Sequence, residues 1–313
     1  MPEIYRYKKT QEQIDKIEIK FNYNKVLIRI DDKIEDKKTD SGIIMISPTD
    51  MDYNPATHTD RTGTIWKLPP TLRYDNSPFS MPWKTSVQVR EGDKVWFDYL
   101  NSQNCVVIEN EDGVEYKLID YENLYLVKRG EEITPLNGYC MFSDFVIKAS
   151  SRFDITDGKV DSRFGVVEYV AEKNQEYHIS VFSDDIEIGA GDKVLFGRRA
   201  QRYYLEDPYY MTLGKMLRPM QRKNIVAVMD GDNIARLKTG VVVVRPIKER
   251  VTASGIIVPP MRSDKTHLES DVIMSAHPEV SVGDKVMCPK VAPLKIGDDY
   301  ILTDEEIYYI WKE

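Results

Sequence analysis

The tetrapeptide Gly-Asp-Lys-Val occurs three times in this 313-residue chain, beginning at Gly92, Gly191 and Gly283. The copies lie 99 and 92 residues apart, about the length of one small domain. The frames around them are alike: Val89-Arg90-Glu91 and Trp96-Phe97 flank the first, Ile188-Gly189-Ala190 and Leu195-Phe196 the second, Val282 and Met287 the third. A glycine-led turn entering a strand has been used three times. A repeat of this kind constrains the fold more than any composition statistic does.

The repeat extends to both sides of the turn. Upstream lies a β-rich run in each copy. In residues 25–31, Val26, Ile28 and Ile30 alternate with Lys25, Arg29 and Asp31, which is strand periodicity. The second run covers residues 142–148. The third, Val241-Val242-Val243-Val244, is an unbroken β-branched run of the kind that forms a strand buried on both faces. Downstream, residues 116–126, 219–229 and 300–310 each read as strand, short polar turn and apolar strand. The expected division is an N-terminal extension at 1–19 and repeats at 20–130, 131–232 and 233–313. The polar breaks Gly130-Glu131-Glu132 and Asp230-Gly231-Asp232-Asn233 are read as linkers. Helical periodicity is confined to residues 10–19. There Thr10 and Gln13 fit a capping box, with Ile14 and Ile17 on one side; a polar strand extension is the alternative.

Composition excludes several function classes. No apolar run approaches the ~18 residues of a membrane span, and the N-terminus lacks the charged-then-apolar pattern of a secretory signal. Cys105, Cys140 and Cys288 show no metal or redox spacing and suit a reducing, cytoplasmic setting. A net charge of −8 argues against nucleic acid as the main ligand. Residues 191–225 oppose that balance with eight Lys/Arg against three Asp/Glu, either a basic patch for an acidic partner or a solvated sheet face.

Chemistry is sparse. Gly189-Ala190-Gly191-Asp192-Lys193 only faintly suggests a phosphate loop and belongs to the threefold turn. Asp154, Asp157 and Asp161 around Gly158 lack the spacing and closing glutamate of a calcium loop, and Asp157-Gly158 reads better as a hairpin turn. His58, His178, His267 and His277 are scattered, with no i,i+4 pair. The expectation is a non-enzymatic protein with no metal and no cofactor.

Two loops carry a further pattern. Residues 31–62 are polar, rich in Asp, Lys, Thr, Ser and Pro, around one apolar cluster, Ser41-Gly42-Ile43-Ile44-Met45. The third repeat places Ser254-Gly255-Ile256-Ile257-Val258 at the equivalent point. With the strand before it, the Gly63-Thr64-Ile65 and Asp271-Val272-Ile273 strands after it, the Val-x-x-Gly-Asp-x-Val turn at 89–95 and the paired closing strands, the chain resembles the chaperonin-10 (GroES-like) co-chaperonins in three divergent tandem copies.

The resemblance implies an all-β fold of three tandem GroES-like small β-barrels, partly open. It also implies docking on a large chaperonin through Ile43, Ile44, Met45, Ile256, Ile257 and Val258. Burying three aliphatic side chains gains roughly 5–8 kcal/mol, against ~1–2 kcal/mol per residue for ordering a loop. One loop alone would then bind weakly, and useful affinity would need several loops held together in a homo-oligomer. The structural alternative is that each Ser-Gly-Ile-Ile segment is an edge strand or a local packing plug.

The chain departs from the family in three ways. The second repeat has a short polar loop, residues 152–163, in place of the apolar one. The third repeat lacks the hairpin that roofs the family's ring. In that place the first repeat has a Pro- and aromatic-rich insert, residues 69–83 ending at Trp83, and the second has residues 200–211 with Tyr203, Tyr204, Tyr209 and Tyr210. Clustered Tyr with Arg and Met is interface-like composition, or else covers the repeat's own barrel. A three-domain chain with two candidate loops does not divide into a sevenfold ring with one loop per domain. The alternative function is therefore a structural ring or accessory protein of a virus or phage particle, assembled in the cytoplasm, whose loops contact neighbouring subunits.

Overall fold

The structure, a computed structural model, describes residues 6–20, 24–31, 37–38, 44–46, 62–77, 79–98, 105–147, 158–179, 183, 185–198, 200, 210–212, 215–247, 250–251, 257–258, 267–290 and 294–312. It is mostly strand, arranged in three main sheets, as an all-β chain requires. In chain order the first part gives β1 (Arg6–Lys8), helix α1 (Gln11–Asp15), β2 (Lys25–Ile30), a small pair β3 (Lys37–Lys38) and β4 (Ile44–Ile46), β5 (Thr62–Lys67), β6 (Lys94–Phe97), β7 (Val106–Glu109), β8 (Glu115–Asp120), β9 (Leu124–Arg129) and β10 (Glu132–Pro135). The second sheet uses β11 (Tyr139–Val146), β12 (Val160–Tyr169), β13 (Lys193–Phe196), β14 (Tyr210–Thr212), β15 (Lys215–Gln221), β16 (Ile225–Asp230) and β17 (Asn233–Leu237). Then follow β18 (Val241–Pro246), the pair β19 (Arg250–Val251) and β20 (Ile257–Val258), β21 (His267–Ser275), β22 (Lys285–Pro289), β23 (Leu294–Ile296), β24 (Asp299–Thr303) and β25 (Tyr309–Trp311).

The three sheets share one six-strand order: β7-β8-β2-β5-β6-β9, β14-β15-β11-β12-β13-β16 and β23-β24-β18-β21-β22-β25. Each is open along its described strands. A 3₁₀ turn joins the second and the last strands of the order in every case, at Tyr121–Asn123, Arg222–Asn224 and Asp304–Glu306. The registers also agree. Lys25 pairs with Asp120, Tyr139 with Gln221 and Val241 with Thr303. Val95 pairs with Val127, Val194 with Val228 and Val286 with Ile310.

The repeated tetrapeptide has a physical role in each sheet. Gly92, Gly191 and Gly283 have φ of 88°, 87° and 97°, the left-handed region that glycine enters without a Cβ penalty. The following aspartate folds its carboxylate back onto the backbone three residues earlier. Asp93 accepts from the Arg90 N–H (2.7 Å), Asp192 from Gly189 (2.9 Å) and Asp284 from Ser281 (2.8 Å). The aspartate's own N–H donates to the carbonyl of that same residue in all three. In the first and third sheets the turn is also pinned to the fourth strand of the order: Gly92 N–H donates to Ile65 and Gly283 N–H to Val272.

That bond corrects one alignment. Val272 N–H donates to the Asp284 carbonyl as Ile65 N–H donates to that of Asp93. The counterpart of Gly63-Thr64-Ile65 is therefore Ser270-Asp271-Val272, one residue earlier than residues 271–273. A one-residue slip would reverse the faces. The second sheet supplies Gly165-Val166-Val167 at the same place, with Gly63, Gly165 and Ser270 opposite Val95, Val194 and Val286.

The expected linkers are tight hairpin turns. Arg129 pairs with Glu132 across Gly130-Glu131, and Asp230 with Asn233 across Gly231-Asp232. Both glycines take positive φ, as two-residue hairpins require. The chain leaves the first sheet along β10 and the second along β17, then turns at Gly138 and Gly240, also at positive φ. Each junction repeats the same bonds: Leu136 N–H to Tyr125 and Tyr139 N–H to Leu136, then Lys238 N–H to Val226 and Val241 N–H to Lys238.

Residues 10–19 take the helical reading, and the only strand of the N-terminal segment among the described residues precedes them. β1 extends the first sheet by pairing with β7, and Thr10 caps α1 through a complete capping box with Gln13. Gly158 is not the tip of a two-residue turn as expected for Asp157-Gly158: its N–H donates to the Ile147 carbonyl and the Ile147 N–H to the Lys159 carbonyl, which places it on the returning strand opposite residue 147.

The chain divides into two compact units. Residues 1–144, 167–182 and 204–222 form the first; residues 145–166, 183–203 and 223–313 form the second. Residues 131–232 are thus split between them. Within the first unit the interior of the first sheet holds Val26, Ile28, Ile65, Val95, Phe97, Leu124 and Val127. Its opposite face, at Trp96, Tyr125 and Leu126, is buried against Met141 and Leu217 of the second sheet. Within the second unit, Phe164, Leu195, Ala227 and Met229 are buried against Val241 and Val243 of the third. Val242 and Val244 point the other way, into the third sheet's own core. The four-valine run is therefore buried on both faces, at 3% exposure or less throughout.

Two predictions follow from these contacts. Gly63 stands where a Cβ would lie 2.4 Å from Ile28 Cγ2 and 2.6 Å from the Arg29 carbonyl, whereas a Cβ at Gly92 would meet nothing within 4 Å. Gly63→Ala is expected to cost about 3 kcal/mol through overpacking, and Gly92→Ala about 1 kcal/mol through its φ alone. Denaturant midpoints of the two variants check the ranking; equal losses would refute it. Asp93 also takes three hydrogen bonds from the Arg129 guanidinium, at 2.7–3.1 Å. Burial pushes the Asp93 carboxyl up, but the Arg129 and Arg90 hydrogen bonds outweigh it and hold the carboxyl below its usual range. A depressed folded-state value stabilises above the unfolded carboxyl range and is lost as pH falls through the folded value. Asp93→Ala is therefore expected to cost about 2 kcal/mol at pH 7, more than Asp284→Ala, with the difference from wild type shrinking below about pH 4. Thermal unfolding across pH 2–7 reads the effect, and a penalty independent of pH would sink it.

Candidate partner-binding hairpins

Two small hairpins stand apart from the main sheets, and they occupy the same place in the strand order. β3–β4 lies between β2 and β5, the central pair of the first sheet. β19–β20 lies between β18 and β21, the corresponding pair of the third. In the first hairpin Lys38 pairs with Ile44 and Lys37 with Ile46; in the second Val251 pairs with Ile257 and Arg250 with Val258. Ile44 and Ile257 thus agree in motif position and in pairing position. Met45 lies in β4 and Val258 in β20, while Ile43 and Ile256 fall outside the described residues. The expected mobile-type loops therefore contain local strand pairs. Each sets an aliphatic strand against one carrying Lys37 and Lys38, or Arg250. That basic flank is a part of the candidate site that the motif comparison missed.

The aromatic inserts have different fates. Trp83 is 1% exposed and lies in the core of the first sheet with Met81, Leu72 and Tyr74. Its composition suggested an interface, and the contact it makes is internal to the chain. Trp83 meets Tyr177 edge-on at 5.8 Å, Tyr74 stacks on His178 at 4.4 Å, and Lys84 pairs with Glu176 at 2.9 Å. His178 N–H donates to the Pro82 carbonyl, and Asn24 ties the insert to β2 by donating to Arg73 and Phe79. This partner segment lies about 95 residues away, so no local pattern could announce it. Tyr210 begins β14, whereas Tyr203, Tyr204 and Tyr209 fall outside the described residues.

The basic stretch at residues 191–225 is partly consumed within the chain. Arg218 is buried against Asp144 at 2.8 Å, and Arg222 donates to the Ala171 carbonyl. Lys193 Nζ sits 3.9 Å from the Phe145 ring centre and 4.4 Å from that of Phe164. These three cations support packing rather than an acidic ligand.

Among the described residues no group of three or more His, Cys, Asp or Glu could hold a metal ion. Asp161 of the calcium-like stretch is paired with Arg163 at 2.6 Å, and its two companions fall outside the described residues. Burial pushes the thiols of Cys105 and Cys288 above their ordinary range, away from the thiolate a nucleophile needs. Cys140 is buried and accepts from the Ala171 N–H. His277 Nε2 meets Asp304 at 2.8 Å, its Nδ1 accepts from the Glu279 N–H, and Ser275 Oγ is engaged by the His277 backbone N–H rather than by the ring. No helix of the described residues is long and apolar enough to cross a membrane. No protein-family model matches the chain, and no curated protein matches it in sequence.

Proposed function

We propose that this chain is a non-enzymatic, homo-oligomeric interaction protein, built from three GroES-like barrels and docking on a large chaperonin through paired apolar hairpins. The common six-strand order, the threefold turn and the conserved registers support the GroES-like reading of each sheet. One observation carries the docking role: Ile44 and Ile257 take the same pairing position in two hairpins inserted at the same step of two sheets. Sheet pairing gives no reason for these insertions to match, because among the described strands each hairpin pairs with itself in the sheet order. A shared external ligand gives one. The aliphatic strand would fill an apolar groove, while Lys37, Lys38 and Arg250 suit an acidic rim around it.

A second reading rests on a different observation. Within the first unit strands of the first two sheets share a buried cluster, and within the second unit strands of the last two do. Such packing suits a structural component of a larger particle, such as a virus or phage ring, where the hairpins would contact neighbouring subunits. The two readings are separated by partner. A cap binds purified double-ring chaperonin, whereas a particle component is found at fixed copy number in assembled particles.

Each buried aliphatic side chain contributes roughly 1.5–3 kcal/mol. Ile44→Asp with Ile257→Asp is therefore expected to weaken chaperonin binding by at least about a hundredfold. Each single variant should lie between the double variant and wild type, because the two hairpins act in tandem. Binding is read by co-sedimentation with the chaperonin. Undiminished binding by the folded double variant would eliminate the hairpin mechanism.

A further inference from the structure

The third sheet shows the face that its two predecessors bury. In each sheet the fifth and last strands of the order present matching rows. Trp96 pairs with Leu126 in the first sheet, Leu195 with Ala227 in the second and Met287 with Tyr309 in the third. Leu126 and Ala227 are fully buried, yet Tyr309 is 65% exposed. One step along, Met229 is buried while its counterpart Trp311 is 45% exposed. Tyr308, which follows the third 3₁₀ turn as Tyr125 and Val226 follow the other two, is also exposed, with His267 edge-on to its ring.

What covers the equivalent faces is known from the chain itself: the first strand of the next sheet, through Met141 in one case and Val241 and Val243 in the other. The remaining face of that type belongs to β2. Its outward Leu27 stands at the same register as Met141 and Val243 and is already buried under Ile14, with Ile17 beside it. All three first-strand faces are therefore occupied. A second copy could not cover Met287, Tyr309 and Trp311 in the manner used inside the chain without displacing α1. Side-chain size points the same way. Ala227 lets a valine strand approach closely, and a tyrosine at that position holds it off.

We infer that the β22–β25 face pairs with the same face of a second copy, about a twofold axis. Exposed Tyr and Trp on a rigid sheet are the residue types that dominate binding energy at interfaces. The rows carry both signs of charge, with Glu269 beside Met287 and Asp271 beside Lys285, so the face does not repel its own image. A twofold contact closes on itself, whereas repeating the internal mode between copies would run on into an open filament. The hairpin reading does not enter this inference.

Sedimentation velocity over about 1–100 μM tests it on the full chain, against a single-chain mass of 36.3 kDa. Wild type is expected to reach twice the mass of the variant Tyr309→Glu, Trp311→Glu. Both positions are exposed, so the variant should keep the wild-type fold, read by its far-UV circular dichroism. Tyr309→Lys alone, which keeps the tryptophan, carries the test if the double variant does not fold. Equal masses for wild type and folded variant, or any ratio other than two, overturn the inference. Because the readout is mass without chaperonin, its failure leaves the hairpin mechanism standing, and the reverse also holds.

Discussion

The structure depends on a strand that must be apolar on both faces. Val241 to Val244 alternate between two cores, one shared with the preceding sheet and one belonging to the third sheet alone. Leu27 and Met141 do the same work in β2 and β11, each turned away from its own sheet's interior and buried by a neighbour. Each such side chain contributes roughly 1.5–3 kcal/mol that a freestanding sheet would forfeit. The Gly-Asp turn serves this arrangement by fixing the register of the strand that follows it. Val95 and Phe97 then face one core while Trp96 faces the next. One turn thus determines the filling of two cores, which explains why it recurs unchanged where little else does.

Legibility in the sequence follows the range of the interactions. The threefold turn, the capping box at Thr10 and Gln13 and the doubly buried valine run are local, and each is readable from a few consecutive residues. The hairpins at Gly130-Glu131 and Gly231-Asp232 misled for a local reason. A two-residue turn and a domain linker both need glycine beside acidic residues, and only pairing by β10 and β17 tells them apart. Gly165-Val166-Val167 escaped notice because it lies inside a long strand with no apolar loop motif before it. Trp83 and His178 were not readable at all, since the composition of the insert states that it packs without stating against what. Of the candidate site, the aliphatic motifs were visible, but the basic strands opposite them emerge only from pairing.

The cations of the second repeat show how composition and position part company. Eight basic residues in 35 look like a surface for an acidic partner. Yet Arg218 is 4% exposed at its side chain and bonded to Asp144, and Lys193 lies between two phenylalanine rings. Long cationic side chains cover apolar surface as well as carrying charge. Removing one would cost packing before it cost any ligand.

Function should concentrate where the repeat is free to vary, and the physical constraint says where that is. Burial in β18 drops after Val244, and the chain leaves the sheet at Pro246; β2 likewise loosens after Ile28. Both hairpins are inserted beyond these points. The outward rows of β22 and β25 are the other relaxed position. In the first two sheets those rows must match a neighbouring strand, which holds them to residues such as Leu126 and Ala227. In the third sheet that requirement is lifted, and the positions carry Tyr309 and Trp311 instead. A freed surface drifting without selection gains polar residues that favour solubility. This one gained the two residue types that most favour association, which is why the face is better understood as a contact than as an unfinished repeat.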